Sequence, residues 1–417
     1  MARIYYNRWQ LNRIRKALAT RRVLLLVGPR QCGKTTLAKE LANSDTIYHT
    51  LDDATLLDAA KNDPQGFVHH NEQLMIIDEV QRAPELLLAI KQDVDENQEA
   101  GRFLLTGSAN IQSLPSVKES LAGRVRKVRL RPLAQGEIYG SVPTFINNAF
   151  QGIFKTLAPN KEEGPFNKDY YLRKAFIGGY PEALRFQSHN DRREWHEDYL
   201  EALIDRDLKD IIQIKRKDSM FKLVEVVAAW SSKFMDISSI GKSLSIVRMT
   251  IETYINALEM LYLVERVRPW HKTDYDRVGK HDKLFMTDTG LMVSILKWRF
   301  EKVRFDGDLN GKLMETFVFT QLVALLEAED NSYEIYHYRD REKREIDFIL
   351  ENEDGDLLGI EIKSGSVVNK RSFKHLNWFK DNLAKERKFK AVVLYTGDNI
   401  VSFGEDKWAV PINALWA

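Results

Sequence analysis

Cysteine is almost absent, with Cys32 the single one in 417 residues. One thiol excludes an intramolecular disulfide framework and a cysteine-built zinc site, and it fits a reducing compartment. Long apolar stretches are missing too, since no uninterrupted run would span a bilayer. The start, Met1-Ala2-Arg3-Ile4-Tyr5-Tyr6-Asn7-Arg8, lacks the apolar centre of a signal peptide. Excess charge is equally scarce. Sixty-two Lys and Arg against sixty Asp and Glu leave a net +2, so nucleic-acid binding has to rest on local clusters. There is no internal repeat and no low-complexity tract. The expectation is a cytoplasmic protein with no membrane partner.

What is present is the make-up of an ordinary globular chain, 44% hydrophobic and 29% charged. Its length suggests roughly two to four domains. The first 20 residues have Trp9, Leu11, Ile14 and Leu18 near helical spacing. Residues 23–27 form a continuous apolar run, as a parallel strand covered on both faces requires. Further strands are expected at residues 46–51, 74–77, 103–106 and 125–130, with helical stretches between the earlier ones, for example 84–94. This alternation predicts a doubly covered parallel sheet.

The run Gly28-Pro29-Arg30-Gln31-Cys32-Gly33-Lys34-Thr35 has the spacing of a phosphate-binding loop. It lies after an apolar strand and before a helix beginning near Thr36, which is the context the chemistry needs. Glycines let backbone N–H groups turn toward phosphate oxygens, and the helix adds the positive end of its dipole. Lys34 would hold the β- and γ-phosphates of ATP, and the Thr35 hydroxyl would ligate Mg²⁺. Cys32 occupies a variable position of the loop and reads as a small space-filling residue. Leu74-Met75-Ile76-Ile77-Asp78-Glu79 then supplies an apolar strand ending in two carboxylates, the Walker B pattern. Asp78 would reach Mg²⁺, and Glu79 is placed to orient or deprotonate the attacking water. The rival reading makes the two acids caps for the next helix.

These residues, together with Asp78-Glu79-Val80-Gln81, Leu105-Thr106-Gly107-Ser108, Leu121-Ala122-Gly123-Arg124, Gly178-Gly179-Tyr180-Pro181 and Asp288-Thr289-Gly290-Leu291, resemble a bacterial and archaeal family of AAA+ ATPases. Its members carry a C-terminal domain of unknown function similar to PD-(D/E)XK nucleases. The resemblance spans nearly the whole chain and implies ATP binding and the fold. It also implies that Thr106 or Ser108 senses the γ-phosphate. Arg124 is a candidate trans-acting or sensing arginine, because a guanidinium stabilises charge on a transferring phosphoryl group. Its rival reading is one member of a solvated basic run with Arg126, Lys127, Arg129 and Arg131. A homo-oligomer is compatible with that role.

Residues 236–261 read as a helix-turn-helix, and Leu263-Val264-Glu265-Arg266-Val267 as a first wing strand. Its second helix offers Arg248, Thr250, Glu252, Thr253 and Asn256, less positive charge than DNA readers usually bring. DNA binding and a packing role stay level here.

Farther on, Glu315, Asp347, Glu361 and Lys363 have the spacing of a metal-dependent phosphodiesterase. Carboxylates of this kind bind Mg²⁺, and the lysine helps activate water. Glu361 and Lys363 share a face if they lie on a strand. If Asp347 is to oppose Glu361, the hairpin between them must centre on Asp354 with an odd loop; a two-residue Asp354-Gly355 turn would put the carboxylates on opposite faces. The alternative is a nuclease-like domain kept for binding. Residues 370–390 add a basic stretch that suits phosphate backbones or a solvated helix face.

The expected fold class is α/β: a P-loop AAA+ parallel-sheet ATPase core over residues 1–140, a linker or insertion over 141–168, a helical lid over 169–217, a winged helix over 218–270, and a PD-(D/E)XK-like α/β domain over 271–417. The expected function is an ATP-hydrolysing protein acting on DNA, with nucleotide state gating the nuclease-like domain. The alternative is an ATP-dependent signalling switch that binds proteins.

Overall fold

Strands β1 (Val23–Val27), β2 (Thr46–Thr50), β3 (Leu74–Asp78), β4 (Phe103–Gly107) and β5 (Val125–Arg129) form a parallel sheet in the order β2-β3-β4-β1-β5. The computed structural model describes residues 5–107, 123–157, 164–211, 217–244, 246–272 and 281–417. Ser108, Leu121 and Ala122 lie outside the described residues. Every residue of β1, β3 and β4 is buried, and alternation sends them to two different cores. Val23, Leu25 and Val27 pack into one, Leu24 and Leu26 into the other. That two-sided burial is why the central strands read as continuous apolar runs. The edge strand β5 instead exposes Arg126 and Lys127, charges that discourage further strand pairing.

The second sheet has nine strands. They are β6 (Lys233–Phe234), β7 (Val264–Pro269), β8 (Lys283–Met286), β9 (Tyr333–Arg339), β10 (Glu345–Asn352), β11 (Leu357–Lys363), β12 (Phe389–Tyr395), β13 (Val401–Gly404) and β14 (Lys407–Pro411). Their order is β13-β14-β12-β11-β10-β9-β7-β8-β6. Because β7 pairs in parallel with β9, one sheet runs across residue 270, where the sequence suggested a boundary. The helices Ile237–Leu244 and Arg248–Met260 precede β7, as the helix-turn-helix spacing predicts.

The helix Gly307–Ala328 joins the two halves. Most of its residues are buried around its circumference, so it lies inside the protein rather than on it. Near its C-terminal end Gln321 Oε1 accepts from the Gln135 backbone (2.7 Å), and Glu327 pairs with Arg131 (2.7 Å). Near its middle Phe319 stacks on Phe285 of β8 with centroids 4.3 Å apart. The segments Gly178-Gly179 and Asp288-Thr289-Gly290 also meet, since Asp288 accepts from the N–H groups of Gly179 (2.7 Å) and Leu291 (2.8 Å). Burial raises the Asp288 carboxyl to about 6. Among the described residues no helix is long and apolar enough to cross a membrane.

Candidate functional sites

The phosphate loop turns directly off β1. Gly28 has φ +151°, and a Cβ there would lie 2.1 Å from the Leu130 carbonyl oxygen, so only glycine allows the loop to press on the chain after β5. Cys32 is fully buried and its Sγ donates to the same oxygen (3.5 Å), which agrees with a space-filling role. Gly33 starts the helix Lys34–Leu41. The Lys34 ammonium donates to the carbonyls of Gly28 (3.0 Å) and Pro29 (2.8 Å), and this holds it under the loop.

Parallel strands present their C-terminal ends on one edge, and the other site residues arrive there. Thr35 Oγ1 donates to Asp78, 3.0 and 3.2 Å from its two oxygens. Thr106 Oγ1 donates to Asp78 as well, and accepts from the Glu79 backbone N–H at 3.2 Å. Glu79 sits in the left-handed region at φ 59°, rare for a residue with a side chain, and its carboxylate accepts from Gln81. The rival capping role does not fit Asp78: its carboxylate accepts from Thr35, Thr106 and Tyr48. Thr35 and Asp78, a hydroxyl facing a carboxylate, are the oxygen donors a Mg²⁺ ion takes.

Three further participants carry no sequence signal. The Tyr48 hydroxyl donates to Asp78 at 3.1 Å, and burial together with Asp78 pushes its phenol up. Arg30 makes a bidentate pair with Asp207, Nε–Oδ2 2.5 Å and Nη2–Oδ1 2.7 Å, and Asp207 is only 2% exposed. The Tyr199 hydroxyl also donates to the Arg30 carbonyl (3.3 Å). No periodicity or motif marks Tyr48, Asp207 or Tyr199 as site residues. Arg124 pairs with Asp95 at the surface, Nε–Oδ1 2.5 Å. The basic run around it is not uniformly solvated: Arg129 and Arg131 both engage Glu265 of β7.

The C-terminal acids assemble into a second site. Phe348 pairs with Ile360 and Ile349 with Gly359, so the antiparallel register places Asp347 across from Glu361. Three residues, 353–355, form the loop inside the register pair Asn352 and Asp356. Asn352 and Asp356 close it (3.2 Å), and Gly355 takes φ +78°. This is the odd loop centred on Asp354 that the sequence required.

Glu315 arrives from the long helix, and a lysine arrives with it. Strand period places Lys283 on the same face as Phe285, and helix period places Glu315 one turn from Phe319. The Phe285–Phe319 stack therefore brings Lys283 to Glu315. Lys283 Nζ lies 2.5 Å from Glu315 Oε1, 2.9 Å from Glu345 Oε1 and 3.8 Å from Asp347 Oδ1. Lys363 Nζ lies 2.7 Å from Glu361 Oε1, and Asp347 Oδ2 accepts from the Ile362 N–H at 2.8 Å. Glu361 Oε2 is buried without a partner.

Burial raises the Glu315 carboxyl to about 8, with Asp347 adding repulsion and Lys283 opposing it. Burial and Asp347 raise Glu361 to about 8 as well. Burial also raises Asp347, against the pull of Lys283. Burial alone would lower the Lys283 ammonium, yet its carboxylates outweigh that and push it up. Among the described residues no three His, Cys, Asp or Glu side chains are disposed to hold a metal ion.

The basic stretch beyond is less free than its composition suggests. Lys380 and Lys390 meet Asp406, Arg387 meets Glu351, and Lys388 meets Asp356. On the helix Arg248–Met260, Arg248 pairs with Glu252 at 2.8 Å.

The fold of residues 23–129 and the geometry at Lys34, Thr35 and Asp78 define a P-loop nucleotide-binding domain. Comparison agrees: residues 20–139 match the family model of an AAA domain, which supports ATP binding. Residues 168–302 and 310–415 match two domains of unknown function, DUF8612 and DUF4143. The chain is 27% identical over 405 residues to uncharacterised proteins of Mycobacterium tuberculosis and Mycobacterium bovis, covering 97% of this chain and 83% of each relative. Among solved structures it is similar to AMPPCP-bound DnaA from Aquifex aeolicus, at 14% identity over 60% of this chain and 86% of that one, TM-score 0.30. It is also similar to the RuvB Holliday junction branch migration motor of Thermotoga maritima, at 16% identity over 63% and 90%, TM-score 0.28.

Proposed function

We propose that the chain hydrolyses ATP in the AAA+ manner and that its nucleotide state governs the C-terminal domain. The observation that carries this reading is the hydrogen-bonded chain Thr35–Asp78–Thr106–Glu79 at the C-terminal edge of the sheet. Residues 28–36 enclose the phosphates, with Lys34 on the β- and γ-groups. Thr35 and Asp78 would hold Mg²⁺, which neutralises phosphate charge when bound. Glu79 orients the attacking water and takes its proton. Thr106 fixes both acids at once, by its hydroxyl to Asp78 and by accepting from the Glu79 N–H. Calorimetry and phosphate release test the scheme. Lys34→Ala should lose ATP binding, whereas Glu79→Gln should keep it and lose turnover by about 10²-fold or more. Normal affinity in Lys34→Ala sinks the assignment. Arg124 is the arginine we assign to a neighbouring copy's ATP, and an Arg124→Ala chain with unchanged turnover removes it.

A contact path supports coupling. The loop presses on Leu130, Arg131 follows it, and Arg131 holds Glu327 on the long helix that also carries Glu315. Glu315 and Glu327 are about 18 Å apart along that helix. The target we propose is DNA, bound by a winged-helix block over residues 218–270 and by a PD-(D/E)XK-like domain that does not cut. A second reading, a signalling switch that binds proteins, is favoured by the pairing of Arg248, Lys380, Arg387 and Lys390 with acids. Salt decides between them, because DNA binding must weaken steeply as ionic strength rises. Salt-independent or absent DNA binding leaves the switch.

A further inference from the structure

We propose that the Lys283 ammonium is a built-in cation that closes the carboxylate cluster, so that Glu315, Asp347 and Glu361 of this chain hold no divalent metal. The assignment rests on the cluster alone and stands whether or not the P-loop turns over ATP. Its test and the ATPase assay therefore fail independently.

Lys283 is no surface side chain that has drifted inward. It starts β8, where it pairs with Val267 of β7 and Phe234 of β6, and its side chain is 1% exposed. Its ammonium lies 5.5 Å from the Phe234 ring centroid. An ammonium has three donors and no acceptor, and the acids around it offer three oxygens at 2.5, 2.9 and 3.8 Å. A Mg²⁺ ion needs oxygen ligands converging at about 2.1 Å, and Mn²⁺ takes the same kind of ligand. The lysine nitrogen fills that space for Glu315 and adds like charge against any second cation.

Two further oxygens of the cluster are engaged as well. Asp347 Oδ2 is bound to the Ile362 N–H and Glu361 Oε1 to Lys363. Among the cluster's carboxylate oxygens, Glu361 Oε2 is buried and unpartnered. Removing one partner from a buried ion pair leaves an uncompensated charge. With Lys283 gone, Glu315, Asp347 and Glu361 would offer a divalent ion what the lysine now takes.

The experiment uses the full-length chain, nucleotide-free and carrying Lys34→Ala so that no ATP-linked metal contributes, with Mn²⁺ as the probe. Calorimetry and thermal shift compare the intact cluster with Lys283→Met, Lys283→Met/Glu361→Gln and Glu361→Gln. The intact cluster should show no Mn²⁺ binding that Glu361→Gln removes. Lys283→Met should gain one site, bound at least about ten-fold more tightly, and lose it again with Glu361→Gln. A folded Lys283→Met chain that gains no site overturns the proposal, as does an intact chain binding one Mn²⁺ that Glu361→Gln abolishes. Should Lys283→Met fail to fold, the intact chain against Glu361→Gln still decides.

Discussion

Two carboxylate sites occur in this molecule, and their acids are met by different donors. At the nucleotide site Asp78 is held by three neutral hydroxyls, from Thr35, Thr106 and Tyr48. In the C-terminal cluster Glu315, Glu345 and Glu361 are held by ammonium groups. Hydroxyls orient a carboxylate and leave its charge uncompensated, which suits a site that receives a metal with its substrate. A buried lysine supplies the compensating charge itself, which suits a site that stays closed. Strand-borne acids alone do not separate these outcomes; the charge of their donors does.

The sharpest break of this contrast lies at Asp78. Asp78→Asn keeps the hydroxyl partners and removes the charge, so ATP turnover should fall by about 100-fold or more. Phosphate release within a few-fold of wild type would mean that the charge is not needed there. Next in size is the Arg30–Asp207 pair, which ties the loop to the helical region. Arg30→Ala leaves a buried carboxylate unpaired and should cost about 3 kcal/mol in urea unfolding. A double variant with Asp207→Ala whose loss equals the sum of the two single-variant losses would mean that the two groups do not couple.

A third break is a pH slope in the cluster. The folded-state Glu361 carboxyl is raised to about 8, above the ordinary glutamate value of 4.5. The folded chain therefore binds this proton more tightly than the unfolded chain. That contribution is fully present below pH 4.5 and is lost as pH rises through about 8. Wild type should lose stability relative to Glu361→Gln across that window. Parallel stability–pH curves for the two chains would refute it.

Much of the first sheet could be read in advance. Residues 23–27, 74–77 and 103–105 are apolar throughout because both their faces are covered, and the glycines of residues 28–35 are required locally. The Asp347–Glu361 pairing was also legible, since strand period and loop parity are arithmetic on the sequence. Lys283 was not. It is a polar residue at the start of a short apolar strand, 32 residues from Glu315 and 62 from Glu345. Similarly, residues 370–390 looked basic because only Asp381 and Glu386 lie among them, whereas Glu351, Asp356 and Asp406 come from other strands.

The sequence by itself therefore determined the phosphate loop, the paired acids at residues 78 and 79 and the register of the C-terminal hairpin. Each depends on neighbours a few residues apart or on one turn. Only the tertiary structure decided what those acids meet, because a donor comes from whichever element packs against them. Tyr48 came from a neighbouring strand, Asp207 from a helical segment and Lys283 from a strand three places from β10 in the sheet.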